Sequence, residues 1–402
     1  MRVLIVDDSS VFRKVIQDVF EQFPDIEIVG TASNGLIALR KVKELCPDLI
    51  TLDMEMPELD GLGVLKALRA EKNLAAVIVV SALTQYGGEL TMKALEYGAF
   101  DFINKPESSS GNESRELIRK DLEQKIKTFQ CRFDIRKLLH KTPTAPPNAH
   151  SAAGQPAMPH SAVHATRPIA AGSLPKAGGL HKGSQAPSTV SSSKAPSTSN
   201  ENFSTMAPTC RPEIVLIGSS TGGPAALTAL LPQLPANLDV PILIVQHMPP
   251  IFTKSLAESL SSKCAFPVRE AVHGEVVSIN TAYIAPGGRH MRLVQVAGGK
   301  RTIEITDDPP EHHCRPSVDY LFRSVSQQCP GKAMAVILTG MGNDGTLGVR
   351  LLRRHGCYSI AQEESTCVVY GMPRCVVEAG AADAVLPLND IAARIISTVR
   401  GK

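Results

Sequence analysis

No stretch of this 402-residue chain approaches the ~20 consecutive apolar residues of a membrane span. The N-terminus also lacks the basic and then apolar character of a secretory leader, because MRVLIVDD already carries Asp7 and Asp8. The expected location is therefore the cytoplasm. The nine cysteines are odd in number and contain no C-x-x-C pair, so neither a closed disulfide framework nor a zinc site is suggested, and they read as reduced thiols. A basic face is missing as well. The net charge is +3, but residues 141–208 hold five basic residues against one acid, so the rest of the chain carries −1. That balance argues against a nucleic-acid binder.

What is present is enough chain for two folded units, with the 43% hydrophobic and 20% charged residues of a water-soluble globular protein. Residues 141–208 are built largely from Ala, Ser, Pro, Gly, Thr and His and cannot bury enough apolar surface to offset their ordering entropy. We read them as a disordered linker, with an end-to-end distance of about 45 Å as a flexible coil. Four of the eleven histidines (150, 160, 164 and 181) fall in it at wide, irregular spacing. This leaves an N-terminal domain over 1–140, including a C-terminal helical extension, and a second domain over 209–402.

In the first domain, β-branched runs alternate with amphipathic stretches: RVLIV, IEIVG, LITLD, AVIVVS and AFDFI precede helices expected at 10–22, 34–45, 61–70, 88–97 and 112–128. That order gives a (βα)5 doubly wound, flavodoxin-like fold with a parallel sheet. The second domain is also α/β, with a mostly parallel sheet. Its strands are EIVLIG, VPILIVQ, AVILTG and YSIAQE, with a more strand-rich middle of VVSI, AYIA, MRLVQV and RTIEIT, and helices from 224, near 317–328 and from 345.

Ligands of parallel α/β sheets bind beyond the carboxyl ends of the strands. Strand one ends in Asp7 and Asp8, strand three in Asp53 and strand four in Ser81, while Lys105 and Pro106 follow strand five. Three carboxylates and a lysine in one crevice suit a hard cation such as Mg²⁺ bridging a carboxylate to a phosphoryl group. Asp53 would be the nucleophile, Lys105 its charge partner, and Ser81 a hydroxyl for the new phosphoryl oxygens. The plainer alternative has Asp8 and Ser9 capping the first helix and Lys105 as a solvated turn residue.

In the second domain, Gly218-Ser219-Ser220-Thr221-Gly222 fits G-x-S-x-G between a strand and a helix carrying Pro224. Such a turn lifts Ser220 toward a helix N-terminus. His247 follows the VPILIVQ strand as a candidate base, and Asp344, in LTGMGNDGTLG, stands at a third strand-to-helix turn where it can orient the imidazole. Gly340 to Gly345 also spells G-x-G-x-x-G, with Glu363 downstream. A carboxylate at Asp344 inside a pyrophosphate nest would repel the ligand, so a dinucleotide site is not expected. Nor is a DNA-binding output expected, since no basic cluster marks a recognition helix.

On the Asp-Asp pair, Asp53-Met-Glu-Met-Pro, Ser81-Ala and Lys105-Pro106, residues 1 to about 125 resemble the response-regulator receiver family. The resemblance implies phosphorylation of Asp53 by a histidine-kinase partner, Mg²⁺ held by Asp7, Asp8, Asp53 and the Glu55 carbonyl, and Phe102 as a switching aromatic. Residues 211–399 resemble the catalytic domain of the chemotaxis protein-glutamate methylesterases (CheB type), on IGSSTGGP, QHMP, APGGRHM, RPSVDYLF, LTGMGNDG and YGMPR. That family's catalytic residues fall on Ser220, His247 and Asp344. The implied activity is regulated hydrolysis of glutamate methyl esters, and of glutamine amides, on methylated chemoreceptors. No cofactor is expected in the catalytic domain, and neither nucleic acid nor membrane insertion is expected among its partners. Backbone N–H groups of Thr221 and Met341 are candidate oxyanion donors, while Gly287, Gly288, Tyr370 and Met372 are candidates for the substrate groove, with turn and core roles as alternatives.

Overall fold

Strand β1 (Arg2–Val6) is buried on both faces: Val3 and Ile5 pack toward Ile16 and Phe20, while Leu4 and Val6 pack toward Ala38 and Val42. Two-sided burial requires helices on both sides of the sheet. In the computed structural model, β1 therefore lies inside a five-stranded parallel sheet of order β2-β1-β3-β4-β5, where β2 is Glu27–Ala32, β3 Leu49–Asp53, β4 Ala76–Ala82 and β5 Asp101–Lys105. The structure describes residues 1–82, 84–105, 116, 118–123, 125–127, 129–130, 211–296 and 298–401. The expected linker and Pro106 lie outside them.

The N-terminal helices are Ser10–Phe20, Gly35–Leu45, Gly61–Ala70 and Gln85–Glu96, with further helical positions described between 116 and 130. Each of the first four begins at a side-chain cap: Ser9, Asn34, Asp60 and Thr84 accept from the N–H groups of Phe12, Ile37, Gly63 and Gly87. These caps satisfy donors that the helix itself leaves free and fix where each strand-to-helix turn ends.

The second domain is a seven-stranded, fully parallel sheet of order β14-β13-β12-β6-β7-β9-β8. Its central strands are β6 (Ile214–Ser219), β7 (Ile242–Gln246) and β12 (Ala333–Ile337). They are flanked by β13 (Tyr358–Gln362), β9 (Ala282–Ile284) and two three-residue edges, β8 (Val268–Glu270) and β14 (Ala384–Leu386). Along β6, Ile214 and Leu216 join Phe322 and Val325 on one face, and Val215 and Ile217 join Leu227 and Leu230 on the other. Strands β10 (His290–Gln295) and β11 (Arg301–Thr306) form a separate antiparallel hairpin.

The middle segment departs from expectation at VVSI. Val276 makes an isolated bridge to Thr302 and Val277 alone packs against the core, while Val276 and Ile279 are exposed, so β-branched propensity found too little packed face to extend the bridge into a strand. Among the described residues, no helix is long and apolar enough to cross a membrane.

The described residues of both domains cluster in one compact unit. Phe102 at β5 packs on Phe252 with ring centroids 4.7 Å apart, Thr221 Oγ1 donates to Asp101 at 3.0 Å, and Glu96 receives Ser259 Oγ at 2.7 Å and pairs with Lys263.

The turn after β6 depends on Gly222, whose φ of +78° lies in the left-handed region and whose absent Cβ would stand 2.4 Å from Val368 Cβ. Gly222→Ala combines backbone strain with overpacking and should cost about 2 kcal/mol or more. A lowered urea midpoint at unchanged slope is the expected reading, and an unshifted midpoint would refute it.

Candidate active site

The first crevice is built by strand ends. Asp7 ends β1 and Asp53 ends β3, both buried, and Lys105 at the end of β5 reaches between them, with Nζ 2.7 Å from Asp53 Oδ2 and 3.0 Å from Asp7 Oδ2. Burial raises the Asp53 carboxyl from 3.8 to about 6 against the opposing hydrogen bond from Lys105, and raises Asp7 as well. Burial opposes the charged lysine, but the pairing with Asp53 and Asp7 outweighs it and Lys105 is raised. Two buried carboxylates thus face one ammonium, and Asp8 is within reach of both. Asp7 Oδ2, although buried, accepts no hydrogen bond beyond its ion pair. This excess of negative oxygen fits a divalent cation held by Asp7, Asp8 and Asp53.

Of the capping alternative, only Ser9 takes the cap. Glu55 N–H donates to Asp53 Oδ1 at 3.3 Å. Ser81 Oγ donates to the Gly87 carbonyl at 3.1 Å. Phe102 is buried beneath Phe252, with Lys125 Nζ 5.6 Å from its ring centre.

The second site gathers at the ends of β6, β7 and β12, where the strand order places the first strand of the domain between two later ones. Ser220 leaves β6 at the turn that opens the helix Gly223–Leu230, and His247 follows β7 directly. Gln246 ties the two together: Oε1 accepts from Ser219 Oγ at 2.7 Å, and Nε2 donates to the Ser220 carbonyl at 2.9 Å. Asp344 follows β12 and is buried. It accepts from His247 Nε2 at 2.8 Å, Val318 N at 2.7 Å, Asp319 N at 2.8 Å, Ser317 Oγ at 2.9 Å and Gly345 N at 3.0 Å.

These five donors settle the protonation pattern. Burial alone would raise Asp344, but the His247 and backbone donors outweigh it and hold the carboxyl below its ordinary 3.8. Burial likewise disfavours charged His247, yet the Asp344 hydrogen bond outweighs it, with a smaller contribution from Cys314, and pushes the imidazole from 6.5 up to about 10. Because Asp344 is an acceptor, Nε2 carries a hydrogen, and Nδ1 is the ring nitrogen on the cavity side, whose lone pair is free once the imidazolium gives up its second proton. Among the described residues, Ser220 Oγ makes no hydrogen bond to the ring.

Ser220, His247, Thr221 and Met341 line one cavity of about 730 Å³, together with Asp101, Phe102 and Lys125 of the N-terminal domain. The Thr221 carbonyl accepts from Thr339 Oγ1. Gly288 also lines the cavity, Gly287 N–H is bound by Thr253 Oγ1, Met372 is in the core against Gly340, and Tyr370 is half-buried outside the cavity. The G-x-G-x-x-G segment turns Asp344 inward to protein donors, and Glu363 accepts from Ser365 Oγ at the surface. Sequence reasoning missed Gln246, Ser317, Cys314 and Asp101. Only Gln246, a polar residue closing an apolar strand, left a signal of the kind that singled out its neighbour His247.

This is a receiver joined to an α/β catalytic domain with a serine, histidine and aspartate at its strand ends. Residues 3–114 match the response regulator receiver domain, and residues 215–395 match CheB methylesterase. A protein-glutamate methylesterase/protein-glutamine glutaminase of Desulfotalea psychrophila is 44% identical over all of this chain and 99% of its own, and one of Trichodesmium erythraeum is 41% identical over 99% of each. The crystal structure of the Thermotoga maritima CheB methylesterase catalytic domain covers 47% of this chain and 99% of its own, at 44% identity and a TM-score of 0.45. The chain belongs to the protein-glutamate methylesterase/protein-glutamine glutaminase family.

Asp344→Asn replaces one acceptor oxygen with an amide N–H₂ that faces buried donors. It should lower stability by about 1 to 3 kcal/mol, and the thermal midpoint by several degrees. Ser220→Ala, which removes no hydrogen bond, should leave the midpoint in place. Equal midpoints for both variants would show that Asp344 does not anchor the segment 317–319.

Proposed function

We propose that this chain hydrolyses the methyl esters of glutamate side chains on chemoreceptors, and deamidates glutamines there, with Ser220 as nucleophile, His247 as base and Asp344 as the orienting carboxylate. The observation that carries the reading is a histidine paired with buried Asp344 at 2.8 Å and lining the same cavity as a serine on a strand-to-helix turn. Ser220 Oγ attacks the ester carbonyl and passes its proton to His247 Nδ1, Asp344 balancing the charge through Nε2. The imidazolium then gives that proton to the departing methoxide, releasing methanol, or to the departing amide nitrogen, releasing ammonia. Water repeats the sequence on the acyl-serine and frees glutamate. Backbone N–H groups of Thr221 and Met341 supply the oxyanion contacts, each worth about 3 to 4 kcal/mol when well aimed.

Ser220→Ala should abolish methanol release from methylated receptor membranes, and His247→Ala should add nothing further to that loss, because the residues act as a unit. A serine-free variant that retains a substantial rate would end this assignment.

In the receiver, Asp53 accepts a phosphoryl group from a histidine kinase. Asp7, Asp8, Asp53 and the Glu55 carbonyl would hold Mg²⁺, which would supply charge neutralisation, while Lys105 is the charge partner and the Ser81 hydroxyl would hydrogen-bond the new phosphoryl oxygens. Phosphorylation adds about 1.5 to 2 negative charges beside Lys105, and the cavity is bordered by Asp101 and Phe102 of the same strand, β5. A small acyl phosphate with Mg²⁺ should therefore add a labile phosphate to the protein and raise methanol release, and Asp53→Asn should show neither. Intact-mass measurement beside the activity assay decides it, and an adduct that persists in Asp53→Asn would move the acceptor elsewhere.

A further inference from the structure

Nδ1 of His247 faces a thiol. Cys314 Sγ is 3.6 Å from Nδ1, and this histidine, Cys314 and Asp344 form the one group of potential metal donors among the described residues that contains a cysteine. Tetrahedral zinc with Zn–N of about 2.0 to 2.1 Å and Zn–S of about 2.3 Å sets its nitrogen and sulfur donors about 3.5 to 3.6 Å apart. The observed separation already has that value. The other ring nitrogen donates to a buried carboxylate, the arrangement by which proteins orient metal-binding imidazoles and raise their basicity.

Cys314 is also held in place independently of His247. Cys314 N–H donates to the Glu311 carbonyl at 2.8 Å, Glu311 N–H donates back at 3.1 Å, and Glu311 is paired with Arg323. The two residues between them, His312 and His313, have φ of +51° and +63° and form a tight reversal. His312 is taken up by Asp319 at 3.2 Å, whereas Cys314 lines the same cavity as Ser220 and His313. Cys314 is a free, partly buried cysteine.

We propose that the catalytic pocket is also a binding site for a thiophilic divalent cation of the zinc class, held by His247 Nδ1 and Cys314 Sγ with Asp344 behind the imidazole, and that its occupancy arrests the enzyme. Binding releases the thiol proton and the Nδ1 proton of the imidazolium to solvent and involves no redox change. Two protein ligands leave the remaining positions to water or the Ser220 hydroxyl, so the ion is exchangeable and inhibitory. Arrest follows because the lone pair that would receive the Ser220 proton is donated to the metal. Mg²⁺, a hard cation that favours oxygen donors, does not compete for a thiolate and an imidazole. The inhibitory half of the proposal rests on the esterase reading above, while the binding half does not.

The test uses the full-length chain, freed of metal and kept reduced. Titrated Co²⁺ should produce a thiolate-to-cobalt charge-transfer band that saturates at one equivalent, and Cys314→Ser and Cys314→Ala should lack it. Zn²⁺ added over saturating Mg²⁺ should slow methanol release and EDTA should restore it. Measured against each variant's own zinc-free rate, half-inhibition should require roughly tenfold more Zn²⁺ or beyond once the thiol is gone. Absence of the charge-transfer band in the unsubstituted chain, or equal zinc sensitivity with and without Cys314, would overturn the site and leave the thiol as a hydrogen-bond donor to Nδ1. A band without inhibition would overturn the arrest. A chain that shows the band but releases no methanol even without zinc would instead sink the esterase reading, leaving metal binding intact. Zinc taken up by the linker histidines gives no thiolate band and survives in both Cys314 variants.

Discussion

Asp344 is the constraint on which the catalytic half depends. A carboxylate this deeply buried is tolerated only because five donors converge on it, and removing any one leaves charge without compensation. Three of those donors come from Ser317, Val318 and Asp319, so the same side chain that orients His247 also fixes the start of the helix Val318–Gln328. Local structure and chemistry are therefore joined at one residue. The helix cannot shift without turning the imidazole, and the imidazole cannot turn without leaving a buried anion unpaired.

The receiver solves a related problem with opposite chemistry. Asp7 and Asp53 share one ammonium, Lys105, and remain short of positive charge, which is what equips the crevice for a divalent cation and a phosphoryl group. The strand that carries Lys105 also carries Asp101 and Phe102, which touch Thr221 and Phe252 of the other domain. Five residues of β5 thus link the phosphorylation crevice to the wall of the catalytic cavity, without any long intervening path.

Much of this was legible in the sequence because parallel strands buried on both faces read as plain apolar runs, and a polar residue ending such a run stands out. Asp7, Asp53, Ser220 and His247 all end or directly follow such runs, Asp344 stands on the turn between β12 and the next helix, and the structure gathers them at the strand ends of their two sheets. The edges β8 and β14, three residues each, are too short to show any periodicity, and VVSI looked like a strand because composition says nothing of whether a partner face exists. Cys314 escaped for a different reason. It lies on a reversal far from any strand end, and only the tertiary fold brings it to His247.

The order of strands in the catalytic sheet has a consequence for biosynthesis. β6, the first strand of the domain, is hydrogen-bonded to β12, with Ile214 opposite Ala333, so the serine and its aspartate meet only after most of the domain has left the ribosome. The receiver's sheet, by contrast, is complete at Lys105. At bacterial elongation rates of about 5 to 20 residues per second, the interval between the two events is on the order of ten to fifty seconds. The regulatory domain is therefore folded before the catalytic centre exists, and each newly made molecule assembles its reactive serine beside a controller already in place.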